Sequence, residues 1–256
     1  PIIKENDKLD DIVVDSLIKA SENSDYGFKF KDRDVVAITE AVVGISEGNY
    51  ATIDDIATDI KNKLNNPEEL GIVFPILSRN RFSLILKGIA KSTKKLYVLL
   101  SFPSDEVGNG ILDEEKFENS SFDLGSIITE EEYTKYFGDF LHPFTGINMI
   151  DFYRELIKEQ GCEPVFILSN KATDILEYTD NVINCDIHTR YKTKEMLKKA
   201  GANVIGLFEI LNSPVNGSGY NEKYGLLGSN KSTEERLKLF PRDGQRIVDS
   251  VQKRLK

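Results

Sequence analysis

The second half of the chain alternates short apolar segments with short amphipathic ones, and this alternation restricts its fold more than any other feature. The apolar segments at 164–169, 181–186 and 203–208 have the composition of buried strands. The segments between them have helical composition, and the second of these ends at Gly201, where a glycine favours helix termination. We therefore expect βαβ units in a partly parallel sheet, with ligands bound beyond the carboxyl ends of the strands.

The first half contains the same kinds of segment. Apolar spacing predicts helices at 8–21 and 52–64, and Thr52-x-x-Asp55 supplies an N-terminal capping signal for the second. The β-branched stretch 34–45 is predicted to start as a buried strand. Buried strands are further expected at 70–76 and 96–101, with a helix at 81–91 between them. The fold class is therefore α/β (mixed α+β), with mixed sheets and flanking helices.

We expect a single domain over 1–256, and the pattern also allows two lobes at about 1–109 and 148–256. The stretch 110–147 is acidic, aromatic and weakly periodic. It is predicted to be an irregular excursion with one or two short helices and not a separate domain.

Charge and composition restrict the partners. The formal net charge of −9 argues against nucleic acid, because such binders normally carry a basic face. No apolar run approaches the ~20 residues that span a bilayer. Cys162 and Cys185 form neither a disulfide framework nor a zinc motif, so a cytoplasmic protein is expected. The chain begins at Pro1 and not at Met, which leaves open that residues precede it.

A first candidate site follows the predicted strand at 96–101. The segment SFPSDEVGN (101–109) places Asp105 and Glu106 at the strand exit. Carboxylates of such loops are good ligands for hard metal ions, because oxygen donors from several loops can converge there. The alternative is a solvated acidic turn without a ligand.

A second candidate site is NCDIHTR (184–190), again at a strand exit. On an extended backbone Asp186, His188 and Arg190 would share one face, where they could hold a metal and a phosphate together. The alternative is that Asp186 caps a helix that starts near Thr193, with His188 an ordinary polar loop residue.

The glycine-rich segment GSGYNEKYGLLGSNKST (217–233) is one residue away from a P-loop, with Asn230 in place of the second glycine. Ser232-x-x-Glu235 predicts a capping box for a helix over 232–240. This structural role of Ser232 argues against a Walker-type loop. Consecutive free N–H groups elsewhere in the loop could still bind an anion. SEGNY (46–50) marks a turn and indicates little by itself.

Five segments occur in an order that resembles the coenzyme F420-0:γ-glutamyl ligase family, and uncharacterised bacterial members of it in particular. They are PIIKENDKLDDIVVDSL, DRDVVAITEAVVGISEGNY, the acidic loop after LYVLLS, NCDIHTR and the glycine-rich loop. The resemblance implies GTP and a divalent metal, Mn²⁺ or Mg²⁺, as cofactors. It also implies a homodimer that activates a carboxylate acceptor as an acyl phosphate, which the amine of L-glutamate then attacks.

The resemblance also implies roles for particular residues. The metal ligands would be Asp105, Asp186 and Glu222, with Glu106 able to substitute for Asp105. The catalytic residues would be Asp186, His188 and Arg190. The cofactor-binding residues would be Pro1, Ile2, Ile3, Asn109, Gly217 and Gly219. Bound metal would offset the net acidity locally.

The chain also departs from the family. A lysine that lies near the SEG segment in the family is absent here, where Gly44, Ile45 and Ser46 stand. Ile187 occupies the position of a typical threonine after the second metal aspartate. These departures leave open a carboxylate acceptor other than F420-0 itself. Two alternatives remain open: a catalytically degenerate nucleotide- or anion-binding regulator of the same fold, and a hydrolase of nucleotide phosphates that uses the same metals.

Overall fold

The computed structural model describes residues 1–256 in nine α-helices, two 3₁₀ helices and nine strands. The helices are α1 Leu9–Ser21, α2 Glu40–Ser46, α3 Ile53–Lys63, α4 Ser83–Lys91, α5 Glu114–Glu118, α6 Glu130–Phe137, α7 Met149–Lys158, α8 Arg190–Lys199 and α9 Gly244–Leu255, with 3₁₀ helices Ala172–Glu177 and Leu207–Glu209. The strands are β1 Tyr50–Thr52, β2 Glu69–Val73, β3 Lys95–Leu100, β4 Ile128–Thr129, β5 Glu163–Leu168, β6 Asn181–Asn184, β7 Asn203–Gly206, β8 Asn230–Lys231 and β9 Arg236–Lys238.

Six strands form one mixed sheet in the order β4-β5-β3-β2-β6-β7. Five of these strands run parallel to one another, namely β5, β3, β2, β6 and β7. The edge strand β4 is antiparallel to β5. The predicted α/β class is confirmed. Because β2 pairs with both β3 and β6, strands from 1–109 and from 148–256 belong to one sheet. The carboxyl ends of the parallel strands lie at one edge, where their loops meet.

The sheet has a hydrophobic core on each face. Along β3, Val98 packs into a cluster of 40 buried residues with α3, α4 and α7, whereas its neighbour Leu99 packs into a second cluster. That second cluster contains Ile175 of the first 3₁₀ helix and Leu197 of α8. Side chains alternate between faces along a strand, so a strand buried on both sides must be apolar throughout. This explains the unbroken apolar runs of the sequence.

The chain termini build a separate layer. The small sheet has the antiparallel order β1-β9-β8, and α1 packs against α9 through a third cluster of five buried residues. No helix has the length and apolar character needed to cross a membrane.

The predicted strand at 34–45 is wrong. Residues 34–39 carry no regular structure, and Val35 is 89% exposed. The helix α2 begins at Glu40 and buries Val43. A β-branched segment forms a strand only where another strand pairs with it, and here none does.

The predicted helix at 232–240 is also wrong. Backbone N–H groups of Ser232 and Thr233 donate to the carbonyl of Arg236 and close a β8–β9 hairpin. The capping signal at Ser232 therefore lies in a turn, because pairing of β9 with β1 outweighs the local helix signal.

The excursion 110–147 contains two short helices, as predicted, together with β4. β4 pairs with β5, so this stretch extends the main sheet and contributes Tyr133 and Phe137 to the main core.

Candidate functional site

The loops after β3 and β6 meet at the carboxyl edge of the sheet through two acidic side chains. Glu106 accepts hydrogen bonds from the backbone N–H groups of Ile187 at 2.6 Å and His188 at 3.0 Å. The negative charge of Asp186 acts on this carboxyl group, so the two acidic side chains lie near each other. Two segments that are about 80 residues apart in the chain are therefore joined by carboxylates, in the place where the sequence predicts a metal site.

The position of Glu106 disfavours the ionised form of its carboxyl group. Desolvation raises the pKa of Glu106, although the residue as a whole is exposed, and the negative charge of Asp186 raises it further. The two backbone N–H groups act in the opposite direction. Two carboxylates that face each other favour a shared proton or a bound cation, because either relieves their repulsion.

Asp186 is buried and accepts three hydrogen bonds from the start of α8. They come from the backbone N–H of Thr189 at 3.1 Å and from the hydroxyls of Thr189 and Thr193. The alternative interpretation of Asp186 as a residue that organises a helix start fits this geometry, although the helix begins at Arg190 and not near Thr193. The same bonds fix the carboxylate in one orientation toward Glu106.

Asp105 has a different environment from its neighbour Glu106. It is 7% exposed and accepts four hydrogen bonds, from the N–H groups of Leu77, Val107 and Asn109 and from the Asn109 amide. These bonds shape the loop and tie it to the loop after β2. A carboxylate offers about four acceptor positions, so Asp105 is saturated by the protein itself. Of the two acids, Glu106 is the one that faces Asp186.

The backbone is not extended from Asp186 to Arg190, so the predicted extended alternation does not form. The chain bends through 187–189 and enters α8 at Arg190. His188 is exposed and its ring makes no hydrogen bond. Arg190 donates to the carbonyl of Ile187 and lies over the ring of Tyr191, and its buried Nε has no partner.

The glycine loop 217–222 lies along the edge of β1. The N–H of Gly219 donates to the carbonyl of Tyr50 at 2.7 Å, so this amide is not free for a phosphate. A Cβ on Gly219 would lie 2.7 Å from the backbone N and O of Tyr50, which explains the glycine as a close approach of two backbones. Gly217, with φ +80°, has open space around it and a free N–H, and Glu222 is exposed and unpaired.

Asn49 is a buried hydrogen-bonding residue beside the glycine loop that sequence reasoning missed. It is fully buried, and its side chain joins three backbone groups: the N–H and carbonyl of Tyr220 and the carbonyl of Phe240. It thereby fastens the glycine loop to the SEGNY turn. The signal in the sequence was a polar residue beside a turn glycine, which is too common to predict a buried hub.

Pro1, Ile2 and Ile3 form a third group. Ile2 is 86% exposed, and the other two line an apolar cavity of about 330 Å³ beside α1. A second cavity, of about 650 Å³, lies between 30–38 and α9. Neither cavity includes the carboxylate pair. No hydrogen bond or ion pair links this segment, the glycine loop and the Glu106–Asp186 pair.

Glu106 and Asp186 supply two of the oxygen donors that a divalent cation needs. No group of three or more His, Cys, Asp or Glu side chains is arranged to hold a metal ion. Mg²⁺, however, is commonly held by one or two carboxylates together with phosphate oxygens of the substrate and water. The pair of Glu106 and Asp186, with the raised pKa of Glu106, matches such a partial set of donors.

Comparison with known proteins gives one result. The family model described as F420-0:Gamma-glutamyl ligase matches residues 1–256, the whole chain. No curated protein and no solved structure matches the chain.

Proposed function

Since the chain belongs to the F420-0:γ-glutamyl ligase family and is therefore a ligase, we propose that it joins L-glutamate, or a similar amino acid, to a carboxylate acceptor at the expense of GTP. The observation that supports this is the facing pair of Glu106 and Asp186 at the carboxyl edge of the sheet. Paired carboxylates that hold a divalent cation against phosphates are the expected centre of phosphoryl transfer.

The chemistry proceeds in two transfers. An acceptor carboxylate oxygen attacks the γ-phosphorus of GTP, so the bond to the bridging oxygen breaks and GDP leaves. The amine nitrogen of glutamate then attacks the acyl carbon, phosphate leaves, and the amine loses a proton. Mn²⁺ or Mg²⁺, held by Glu106 and Asp186, would neutralise charge on the phosphate oxygens. Asp105 would keep the loop in place, and Thr189 and Thr193 would keep Asp186 aimed at the cation.

We further propose that the glycine loop contacts the nucleotide. Gly217 supports this with its free N–H, and Asn49 holds the loop in position from beneath. Pro1, Ile2, Ile3 and Asn109 remain predicted contacts. A homodimer in the cytoplasm is likewise a proposal, and light scattering would contradict the dimer if it gave the single-chain mass of 28.9 kDa.

The substitution Asp186→Asn tests the proposal. Phosphate release from GTP that depends on added glutamate, acceptor and Mn²⁺ should fall at least ~100-fold, because one of two charged oxygen donors is lost. The matched control is Asp174→Asn, another buried aspartate beyond the end of a strand, which accepts a hydrogen bond from Ser169 at 2.7 Å and should leave the rate unchanged.

Two results would contradict the ligase. If neither GTP nor ATP raises the melting temperature in the presence of Mn²⁺ or Mg²⁺, no nucleotide binds the native state. If nucleotide binds but phosphate release never exceeds background with any acceptor, the degenerate regulator is the better description. The lack of a three-ligand metal cluster is the observation that favours this second candidate. Release that is independent of any amino acid would instead indicate a hydrolase.

A further inference from the structure

Lys238 is a half-buried lysine without a counter-charge. It lies in β9, the middle strand of the small sheet, and takes part in no salt bridge or side-chain hydrogen bond. Burial lowers the pKa of Lys238, and no neighbouring carboxylate offsets that effect. A charged side chain that is withdrawn from water is normally paired, so this one is unusual.

A cavity of about 220 Å³ opens beside this lysine. Its volume exceeds the roughly 30 Å³ share of a water molecule several-fold, which is enough for a phosphate group. Besides Lys238, its walls include Thr39, Glu40, Gly228, Asn230 and Phe240.

The fold fixes the stem of the lysine. A Cβ placed on Gly44 would lie 3.4 Å from Cγ and 3.5 Å from Cδ of Lys238, and 3.0 Å from the carbonyl oxygen of Leu239. The stem therefore packs directly over the backbone of α2, and a larger residue at 44 would push it away. The stem of Lys238 is therefore held beside the cavity by packing, not by an ion pair.

One further feature bears on which ligand the cavity binds. Glu40 is the only acid among its lining residues, and it is exposed and forms no ion pair with Lys238. The lining therefore offers Lys238 no paired counter-charge in the free protein.

We propose that Lys238 and this cavity bind a phosphate group. An ammonium is a compact charge suited to phosphate, and a dianion would supply the counter-charge that the fold does not. Lys238 pairs with Tyr50 of β1, whose opposite edge carries the glycine loop, so the bound phosphate would lie on the same small sheet as that loop. The inference that this phosphate belongs to a nucleotide rests on the function proposed above. The inference of an anion site does not depend on that function.

The substitution Lys238→Met tests this, because methionine keeps the apolar stem and removes the charge. Titration calorimetry with inorganic phosphate, at constant ionic strength set with chloride, and with GTP plus Mg²⁺, should show affinity reduced at least ~10-fold, the scale of a lost charged hydrogen bond. Lys231→Met is the matched control from the same hairpin, since its ammonium already pairs with Glu234 at 2.6 Å. It should leave both affinities unchanged.

A second measurement uses the unmodified protein. The lowered pKa makes Lys238 an early site for an amine-acylating reagent, and mass spectrometry should show that phosphate slows its labelling but not that of Lys231. Loss of binding for both phosphate and GTP in Lys238→Met supports the site with the nucleotide as its source. If Lys238→Met loses affinity for phosphate but not for GTP, the anion site is supported with free phosphate or a simple phosphoester as its ligand. This holds even if the ligase proposal fails. Phosphate that neither binds nor protects, or binding that is indifferent to Lys238→Met, overturns the proposal.

Discussion

At the scale of single residues, two neighbours in one loop have opposite environments. Asp105 is buried and saturated by four hydrogen bonds, whereas Glu106 reaches across to the next loop and faces another carboxylate. The sequence contains both acids side by side and cannot decide between them. The decision depends on which side chain the loop turns inward, and that follows from the N–H groups of Leu77 and Asn109 that converge on Asp105.

The raised pKa of Glu106 predicts a pH dependence of stability. Proton binding to Glu106 stabilises the fold fully below its ordinary pKa of 4.5, and this contribution is lost as pH rises through the raised pKa of the folded state. The free energy of unfolding of the wild type, relative to Glu106→Gln, should therefore fall as pH rises above the ordinary pKa of 4.5. Urea denaturation of both proteins at a series of pH values above and below 4.5 measures it.

Glu132 supplies a control with the opposite sign. Hydrogen bonds from Thr129 lower the pKa of Glu132, so its contribution is present above the ordinary pKa and is lost as pH falls. Relative to Glu132→Gln, the wild type should gain stability as pH rises. Parallel trends for the two pairs of proteins would show that Glu106 and Asp186 do not repel each other in solution.

At the scale of elements, a helix-capping sequence led to a helix only where no strand pairing competed with it. Helix α3 has apolar spacing and a complete capping box between Thr52 and Asp55, and it forms as predicted. The segment 232–240 carries a similar capping signal but forms a hairpin, because β1 offers β9 a pairing edge. A capping box contributes only about 1 kcal/mol, so strand pairing and burial can override it.

The capping box of α3 can be tested directly. Thr52→Ala removes the hydroxyl that accepts from the N–H of Asp55, and should lower the free energy of unfolding by about 0.5–2 kcal/mol. Thr134→Ala, at an exposed position within α6, should change it by less than about 0.5 kcal/mol. Equal effects in urea denaturation would contradict the role of the cap.

At the scale of the whole molecule, the termini form a layer with its own core. The cluster that joins α1 and α9 holds five buried residues, among them Leu9 and Ile247, and is separate from the cores of the main sheet. The small sheet connects to this layer through α2, in which Gly44 packs against Lys238 of β9 and Val43 belongs to the cluster. The position of the N-terminal segment therefore depends on residues more than 200 positions away.

This dependence gives a prediction for Ile247→Ala. Loss of a side chain that is 3% exposed should cost about 2–5 kcal/mol in the layer and raise amide exchange in α1, a helix distant in sequence. Val248→Ala, one residue along and 50% exposed, is the control and should leave exchange in α1 unchanged. Altered exchange confined to α9 would show that the two helices do not stabilise each other.

The sequence by itself determined the class of fold and the edge at which to look for a site. Runs that are apolar at every position require burial on both faces, and their alternation with helices requires parallel strands whose carboxyl ends coincide. The resemblance to the ligase family was likewise contained in the order of its segments and is confirmed over the whole chain.

Only the tertiary structure decided which residues meet. It turned Glu106 toward Asp186, buried Asn49 under the glycine loop, left Lys238 without a partner beside Gly44, and left Glu222 exposed. The physical reason is that these contacts join segments that are far apart in the chain. Their geometry depends on hydrogen bonds and packing with residues outside both segments. Local composition fixes what each segment can become, whereas contacts across the fold fix what each side chain faces.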